Sequence, residues 1–189
     1  MNLPKLIILD RDGVINHDSD NYIKSPSEWL PINGTAEAIA KLNKLGIKVG
    51  VATNQSGIGR GLFDEKMLNS IHQKMHMYLS EHGAHLDKLS FCPDHPDAAG
   101  PNRKPAPGMA LFLLDYFKAD AAETWFVGDS ISDLLCAIIA GCKPALVLTG
   151  KGRRTLQKKE FESLSVPIYK DLADFFSQVI EPLSTKHPD

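Results

Sequence analysis

The sequence predicts an α/β fold built on a mostly parallel sheet, because short apolar runs alternate along the chain with longer segments of helical periodicity. The length of 189 residues and the hydrophobic content of 43% suit one core of this kind. We therefore expect residues 1–189 to form a single domain, a Rossmann-like three-layer α/β/α sandwich with only small loop caps.

Each short apolar run is interpreted as a strand, and the predicted strands cover residues 5–10, 48–53, 88–92, 124–127, 145–148 and 166–169. The first helix, residues 34–45, has an apolar face and Gly46 as its stop. The second begins near Asp64, a typical N-cap, and ends at Gly83. Helical periodicity predicts further helices at residues 108–117, 131–140 and 172–180, and the tail at 181–189 is expected to fray.

Three segments follow neither periodicity, namely residues 13–31, 54–63 and 93–107. Each begins where a predicted strand ends, and ligands of open α/β sheets bind outside the carboxyl ends of the strands. We therefore expect the chemistry at this edge of the sheet. Because no segment of ~60 or more residues is left for a second domain, the same three loops are expected to form a small cap over the site.

Charge and composition argue against several classes of function. The 21 Lys and Arg residues nearly balance the 23 Asp and Glu residues, so the net charge of -2 offers no field for nucleic acid or an anionic membrane. No apolar run reaches the ~18 residues of a membrane span, and no signal-peptide pattern is found. Cys92, Cys136 and Cys142 lack CxxC spacing, which predicts neither disulfides nor a thiolate metal site. We expect a cytoplasmic monomer.

Two carboxylates, Asp10 and Asp12, stand where the first predicted strand ends, so both can point toward one reaction centre. Clustered carboxylates raise one another's pKa unless a cation compensates, and hard oxygen ligands of this kind select Mg²⁺. The pair indicates a magnesium site, although an Asp-x-Asp-Gly sequence is equally typical of a plain turn at a strand end.

Two further segments carry groups suited to phosphate. The second predicted strand ends at Thr53 and runs into a polar loop that begins with Asn54, Gln55 and Ser56. Its hydroxyl and backbone N–H groups can bind phosphate oxygens, with a polar βα turn as the alternative. Arg103 and Lys104 can supply a forked guanidinium and a compact ammonium, but an isolated basic pair is more often solvated surface.

The fourth predicted strand leads into Asp129, a candidate metal ligand, and Asp133, which would orient it. Each carboxylate could instead cap the helix that follows. The joint order of the motifs decides the matter, because successive strand ends would deliver carboxylates, a hydroxyl, a cation and a further carboxylate to one edge of one sheet.

From about residue 6 to residue 151, this order of motifs resembles the haloacid dehalogenase superfamily of phosphotransferases. The resemblance implies that Asp10 is the nucleophile, Asp12 the general acid/base and Thr53 the phosphate-binding hydroxyl. It also implies that Lys104 stabilises the phosphate and that Mg²⁺ binds Asp10, Asp129 and the main-chain carbonyl of Asp12. An aspartyl nucleophile also fits a phosphomutase or an ATPase, but Asp12 as a water-activating base favours hydrolysis.

The longer motifs at residues 10–16, 53–61 and 103–109 are similar to the D-glycero-D-manno-heptose-1,7-bisphosphate 7-phosphatases and the related histidinol-phosphate phosphatases. The similarity implies a phosphorylated sugar as substrate and loss of its 7-phosphate, a step in ADP-heptose synthesis for lipopolysaccharide. The expected contacts to substrate are His17, Asp18, Asn21, Asn54, Gln55, Ser56, Arg60 and Arg103.

Alternatives remain open at this point. Histidinol phosphate is another candidate substrate, since Asp18, Asp20 and Asp94 could bind its amine and imidazole. A solvated polar loop explains residues 17–21 nearly as well as a substrate contact does. A function of a different kind is also possible in principle: the chain could be a non-catalytic α/β binding module.

Phosphatases of this kind often carry a structural zinc loop, Cys-x-His followed by Cys-x-Cys, and this chain departs from that pattern. Cys92 is in place, but Asp94 occupies the His position, His95 is one residue late, and Pro101 and Asn102 replace thiolates. A lone Cys with one His cannot complete a tetrahedral site, so we expect no structural zinc.

Two other features have simpler interpretations. His72 and His76 have metal-compatible spacing but no nearby third ligand, which predicts surface histidines. The basic run between Lys151 and Lys159 is expected to be solvated, with contact to a second phosphate by its first members as the alternative.

Overall fold

The computed structural model describes residues 3–185, and its six-stranded sheet is parallel throughout. The strands are β1 (Leu6–Leu9), β2 (Lys48–Asn54), β3 (Lys88–Cys92), β4 (Trp125–Gly128), β5 (Lys143–Val147) and β6 (Ile168–Tyr169). Their order across the sheet is β3-β2-β1-β4-β5-β6. The chain leaves β1 toward β2 and later returns to the other side of β1 as β4. The β1/β4 boundary is therefore the topological switch point, where open α/β sheets bind ligands.

Each of the five predicted helices has an observed counterpart, whereas the short helices at residues 56–59, 152–155, 159–162 and 181–184 were not predicted. The helices are α1 (Thr35–Lys44), α2 (Ser56–Gly59), α3 (Glu65–Glu81), α4 (Gly108–Phe117), α5 (Ile131–Ala140), α6 (Gly152–Thr155), α7 (Lys159–Glu162), α8 (Leu172–Phe175) and α9 (Glu181–Ser184). The Asp64 side chain caps α3 by accepting a hydrogen bond from the Met67 N–H. A π-helical segment, Phe176–Ile180, joins α8 to α9. The prediction of a frayed tail is wrong for Glu181–Ser184, while residues 186–189 lie outside the described residues.

Side chains of β1 alternate between two buried clusters, as the pleat of a strand requires. Ile7 and Leu9 pack with residues of α1, α3 and α8 on one face of the sheet. Leu6 and Ile8 pack with residues of α4 and α5 on the other face. All four side chains are fully buried because a central parallel strand is covered on both sides. The predicted three-layer α/β/α sandwich is confirmed.

The loops at the carboxyl edge of the sheet contain only short elements. The loop after β1 includes the 3₁₀ turn Pro26–Glu28 and is anchored by the buried Trp29 and by an isolated bridge between Asn16 and Pro31. The loop after β3 includes the 3₁₀ turn Pro96–Ala98. These loops are the small caps that the sequence predicts. Within residues 3–185, no helix has the length and apolar character needed to cross a bilayer.

Candidate active site

Lys104 is buried between two carboxylates at the switch point of the sheet. Its Nζ lies 3.0 Å from Asp10 Oδ1 and 2.6 Å from Asp133 Oδ1, and it donates a 2.7 Å hydrogen bond to the Ala52 carbonyl oxygen. Burial opposes the charge of Lys104, but Asp10 and Asp133 outweigh it and raise the lysine pKa. The ammonium is therefore a fixed positive charge beside Asp10.

Asn54, the last residue of β2, holds the main chain at Lys104. Its Nδ2 donates to the Lys104 carbonyl oxygen and its Oδ1 accepts from the Lys104 N–H, both at 3.0 Å. This reciprocal pair of bonds ties the loop that carries Lys104 to the edge of the sheet. Asn54, which was predicted to contact substrate, thus also positions Lys104.

Asp10, Asp129 and Asp133 form a buried cluster in which one oxygen of each lies within 4.8 Å of the others. Burial raises the pKa of Asp10 to about 7, with Lys104 opposing the shift and Asp133 adding to it. Burial and the two neighbouring carboxylates also raise the pKa of Asp129 well above its ordinary value. The three carboxylates therefore carry more negative charge than the single Lys104 ammonium offsets.

Asp133 uses both of its carboxylate oxygens within the protein. Oδ1 faces Lys104, and Oδ2 accepts hydrogen bonds from the Asp129 N–H at 3.2 Å, the Ser130 N–H at 3.0 Å and the Ser130 hydroxyl at 2.6 Å. Asp133 thus lies where a residue that orients Asp129 would lie. Asp10 and Asp129 are left as the carboxylates that could hold a divalent cation, and hard oxygen donors of this kind suit Mg²⁺.

Two glycines allow the loops to close on Asp129. Gly13 has a φ of +88° and Gly150 a φ of +54°, and a Cβ added at either position would overlap the Asp129 carboxylate. The Lys151 N–H donates a 2.6 Å hydrogen bond to Asp129 Oδ2 from the same turn as Gly150. Any larger residue at these glycines would displace the carboxylate, a constraint that depends on loop contacts and that no sequence pattern predicted.

Asp12 is held by a dense set of donors. Arg11 donates through Nε at 3.1 Å and through Nη2 at 2.9 Å, and the amides of Asn16 and Gln55 donate at 2.8 and 2.9 Å. Burial disfavours the Asp12 anion, but the Arg11 guanidinium and these hydrogen bonds outweigh burial and lower the pKa of Asp12. The Gln55 amide also donates to Thr53 Oγ1 at 2.9 Å, which links the candidate acid/base to the candidate phosphate-binding hydroxyl.

His72 is not a surface residue, and that prediction is wrong. The residue is 7% exposed, and its Nε2 lies 3.2 Å from Arg11 Nη1. Burial and the Arg11 guanidinium lower the pKa of His72 to about 3. His72 borders the buried stripe of α3, four residues after Leu68, and this spacing could have predicted its burial. His76 is exposed, as predicted.

A cavity of ≈ 620 Å³ lies over the cluster. Most of the predicted site residues line it, namely Asp10, Asp12, Asp18, Asn54, Gln55, Ser56, Arg60, Arg103, Lys104 and Asp129. Thr53 is buried and outside the lining, and His17 and Asn21 are exposed outside it. The lining also includes residues that were not predicted as substrate contacts, among them Asp20, Tyr22, Ser130, Lys151 and Lys158.

Known proteins with similar sequences are phosphatases, which agrees with this geometry. Residues 101–175 match the family model described as HAD-hydrolase-like. A D-glycero-β-D-manno-heptose-1,7-bisphosphate 7-phosphatase of Neisseria meningitidis serogroup B is 46% identical over 187 residues, which cover 98% of this chain and 100% of the relative. The enzyme of the same name from Pseudomonas aeruginosa is 46% identical over 176 residues, 93% of this chain and 98% of the relative.

A solved structure agrees with these sequence matches. The D,D-heptose 1,7-bisphosphate phosphatase of B. bronchiseptica, in complex with magnesium and phosphate, superposes with a TM-score of 0.90 at 46% identity, covering 94% of this chain and 99% of that one. The chain belongs to the heptose-bisphosphate phosphatase family of haloacid dehalogenase-like hydrolases. The family expected from the motif order is confirmed.

In this member of the heptose-bisphosphate phosphatase family, ion pairs join the first loop to the chain after β5. Lys151 Nζ lies 3.1 Å from Asp18 Oδ2, and Arg154 Nη2 lies 3.0 Å from Asp20 Oδ1. The cations of the basic run are exposed, as predicted, and two of them also pair with carboxylates at the cavity mouth.

The segment that could have been a zinc loop in this family is held by hydrogen bonds. Asp94 Oδ2 accepts from the Gly100 N–H at 2.9 Å, and Arg103 Nη1 donates to the Asp94 carbonyl oxygen at 3.0 Å. Cys92 is buried, and burial raises its thiol pKa. These bonds account for the shape of the loop without metal ligands, and the absence of zinc stays a prediction.

Proposed function

We propose that this protein is a Mg²⁺-dependent phosphatase that removes the 7-phosphate of D-glycero-β-D-manno-heptose 1,7-bisphosphate through a phospho-aspartyl intermediate on Asp10. The observation that carries the proposal is the pairing of Asp10 with Lys104 at 3.0 Å, inside a cluster of three carboxylates whose negative charge this one ammonium does not balance. The names of relatives that are 46% identical support both the sugar and the β anomer.

Asp10, Asp129 and the main-chain carbonyl of Asp12 would hold the Mg²⁺. When bound, the ion supplies positive charge that offsets the carboxylates and polarises the phosphoryl group. The raised pKa values of Asp10 and Asp129 support this assignment, because a cation between them would restore both to the ionised form.

Asp10 attacks phosphorus through a carboxylate oxygen, and the bond between phosphorus and the sugar oxygen breaks as the aspartyl phosphate forms. Lys104 lowers the repulsion between the Asp10 anion and the phosphate and orients the nucleophile. The Thr53 hydroxyl is proposed to bind a phosphate oxygen, and Gln55, which donates to it, is proposed to fix its direction.

Asp12 is proposed to move a proton in each half of the reaction. It gives a proton to the departing sugar oxygen, and it later takes one from the water that attacks the phosphorus of the aspartyl phosphate. The lowered pKa of Asp12 suits the second role. For the first role, the phosphate dianion in the cavity opposes the charge of Asp12 and raises its pKa, so that binding of substrate favours the protonated acid.

The charges at the cavity mouth favour a second phosphate over an amine. Within residues 3–185, Arg60, Arg103 and Lys158 line the cavity without a carboxylate partner within salt-bridge distance. The carboxylates that could bind histidinol phosphate are already engaged: Asp18 with Lys151, Asp20 with Arg154 and Asp94 with the Gly100 N–H. A bisphosphate therefore fits the mouth better than histidinol phosphate does.

The test compares kcat/KM for the β-heptose bisphosphate and for histidinol phosphate with Mg²⁺ present, using the Asp10→Asn variant as the inactive control. We expect the bisphosphate to have the higher value and to yield free phosphate and the sugar 1-phosphate. An equal or higher value for histidinol phosphate would reverse the substrate assignment. Conversion of the substrate to an isomeric phosphate ester would identify a mutase. If no ester released phosphate, the non-catalytic binding module would be the remaining interpretation.

The compartment and the assembly are also proposals. Cys92, Cys136 and Cys142 are free and buried, which supports a reducing compartment such as the cytoplasm. A monomer that needs neither nucleic acid nor a membrane is proposed on the balanced charge of the chain.

A further inference from the structure

Arg11 is a fully buried guanidinium at the base of the site. Its Nη2 lies 2.9 Å from each carboxylate oxygen of Asp12 and 3.2 Å from Gln55 Oε1, and its Nε lies 3.1 Å from Asp12 Oδ1. The remaining nitrogen, Nη1, faces His72 Nε2 at 3.2 Å. A buried arginine is costly unless its donors are paired, and these contacts pair each of its three nitrogens.

The contact with His72 defines the state of the imidazole. A guanidinium has only donors, so His72 Nε2 must accept the hydrogen bond and carries no proton. The ring is then neutral, with its proton on Nδ1. The ring also packs edge-on against Phe91, with 6.2 Å between the ring centroids, and this contact limits its rotation. His72 therefore presents a fixed acceptor to Arg11.

We infer that Arg11, held by the unprotonated Nε2 of His72, is a positioning residue that sets the direction of the Asp12 carboxylate for both proton transfers. The inference rests on the proposed function, because it assigns a role within that reaction. Neither Arg11 nor His72 lines the cavity, so both would act through Asp12 and not by contact with substrate.

Geometry explains why an arginine is needed at this position. The fork spans Asp12 with Nε and Nη2 and still reaches His72 with Nη1, whereas a lysine has one nitrogen and could not hold both partners in fixed positions. Gln55 completes the arrangement, because its Oε1 accepts from Arg11 while its Nε2 donates to Asp12. Through the contact between His72 and Arg11, helix α3 thereby holds the loop after β1 in place.

The test uses full-length protein with an aryl phosphate and Mg²⁺ as probe. His72→Leu removes the acceptor, His72→Gln keeps an acceptor oxygen, and His76→Leu, one turn along the same helix and exposed, is the matched control. A misplaced catalytic group costs up to about a hundredfold, so we expect kcat to fall at least about tenfold in His72→Leu. KM should stay within about twofold of wild type, since substrate binding is not altered.

His72→Gln should recover most of the loss and His76→Leu should match wild type. The Mg²⁺ concentration for half-maximal activity should not change in His72→Leu, whereas general disruption of the site would raise it. Arg11→Lys should show the same loss of kcat, provided that a thermal unfolding curve shows the variant to be folded. Wild-type kcat in a folded His72→Leu variant, or a loss that Gln does not recover, would overturn the inference alone. A wild-type protein without Mg²⁺-dependent phosphate release would overturn the proposed function as well.

Discussion

Replacing Asp10 with Asn should abolish turnover and yet stabilise the metal-free protein at alkaline pH. Burial and neighbouring carboxylates raise the folded-state pKa of Asp10 from 3.8 to about 7. The folded protein therefore binds the proton on Asp10 more tightly than the unfolded chain does. As pH rises from about 4 to about 7, ionisation of Asp10 costs progressively more stability, and a neutral amide avoids that cost.

The size of the effect follows from the shift. A difference of 3.8 to about 7 corresponds to about 4 kcal/mol at pH 8, at 1.36 kcal/mol for each pH unit, and to almost nothing below pH 4. For a chain of this length each kcal/mol moves Tm by about 2–4 °C, so the variant should melt on the order of 10 °C higher at pH 8. In the variant Lys104 keeps Asp133 as a partner at 2.6 Å, which limits the cost of losing Asp10.

The assay is thermal unfolding of wild type and Asp10→Asn with a chelator, at a series of pH values from 4 to 8. Asp174→Asn is the control, because hydrogen bonds from Lys170 and Gln178 lower the pKa of Asp174 and predict a small change of opposite sign. Saturating Mg²⁺ should narrow the gap, since it binds the native wild type. A metal-free Asp10→Asn protein that melts at or below the wild-type temperature at pH 8 would refute the claim that ionised Asp10 destabilises the metal-free cluster.

Three other outcomes are expected. Asp12→Asn should keep substrate binding but lower kcat by about 10²–10⁴-fold, the usual contribution of a general acid/base, as steady-state kinetics would show. Gly13→Ala should reduce Mg²⁺ affinity and Tm together, because its Cβ overlaps the Asp129 carboxylate, and calorimetric Mg²⁺ titration checks this. Chelation should stop activity reversibly while elemental analysis finds no stoichiometric zinc; one zinc per chain would contradict the interpretation of the loop after Cys92.

The strands that position the site residues could be predicted from the sequence, because the end of a strand is marked by the residues next to it in the chain. The apolar runs that precede Asp10, Thr53 and Asp129 are short, continuous and buried, and parallel pairing brings their ends to one edge. Lys104 lies in the loop after β3. Because the carboxyl ends of parallel strands share one edge, its position near Asp10 could also be predicted.

The pairings between loops could not be predicted in the same way. Arg11 and His72 are 61 residues apart, and their contact depends on how α3 crosses the first loop. Arg154 and Asp20 are 134 residues apart. No periodicity encodes such distances, since a charge in an irregular segment can reach many partners. The only local sign was Arg11 itself, a charge at a buried strand end that requires a partner.

Covalent trapping on Asp10 tests the proposed phospho-aspartyl mechanism most directly. Enzyme turning over the heptose bisphosphate with Mg²⁺ is quenched and treated with borohydride, which reduces an acyl phosphate to the alcohol, and the peptide that contains Asp10 is analysed by mass spectrometry. We expect homoserine at position 10 only when substrate is present. Release of phosphate at the normal rate with an unmodified Asp10 in every quenched sample would contradict it.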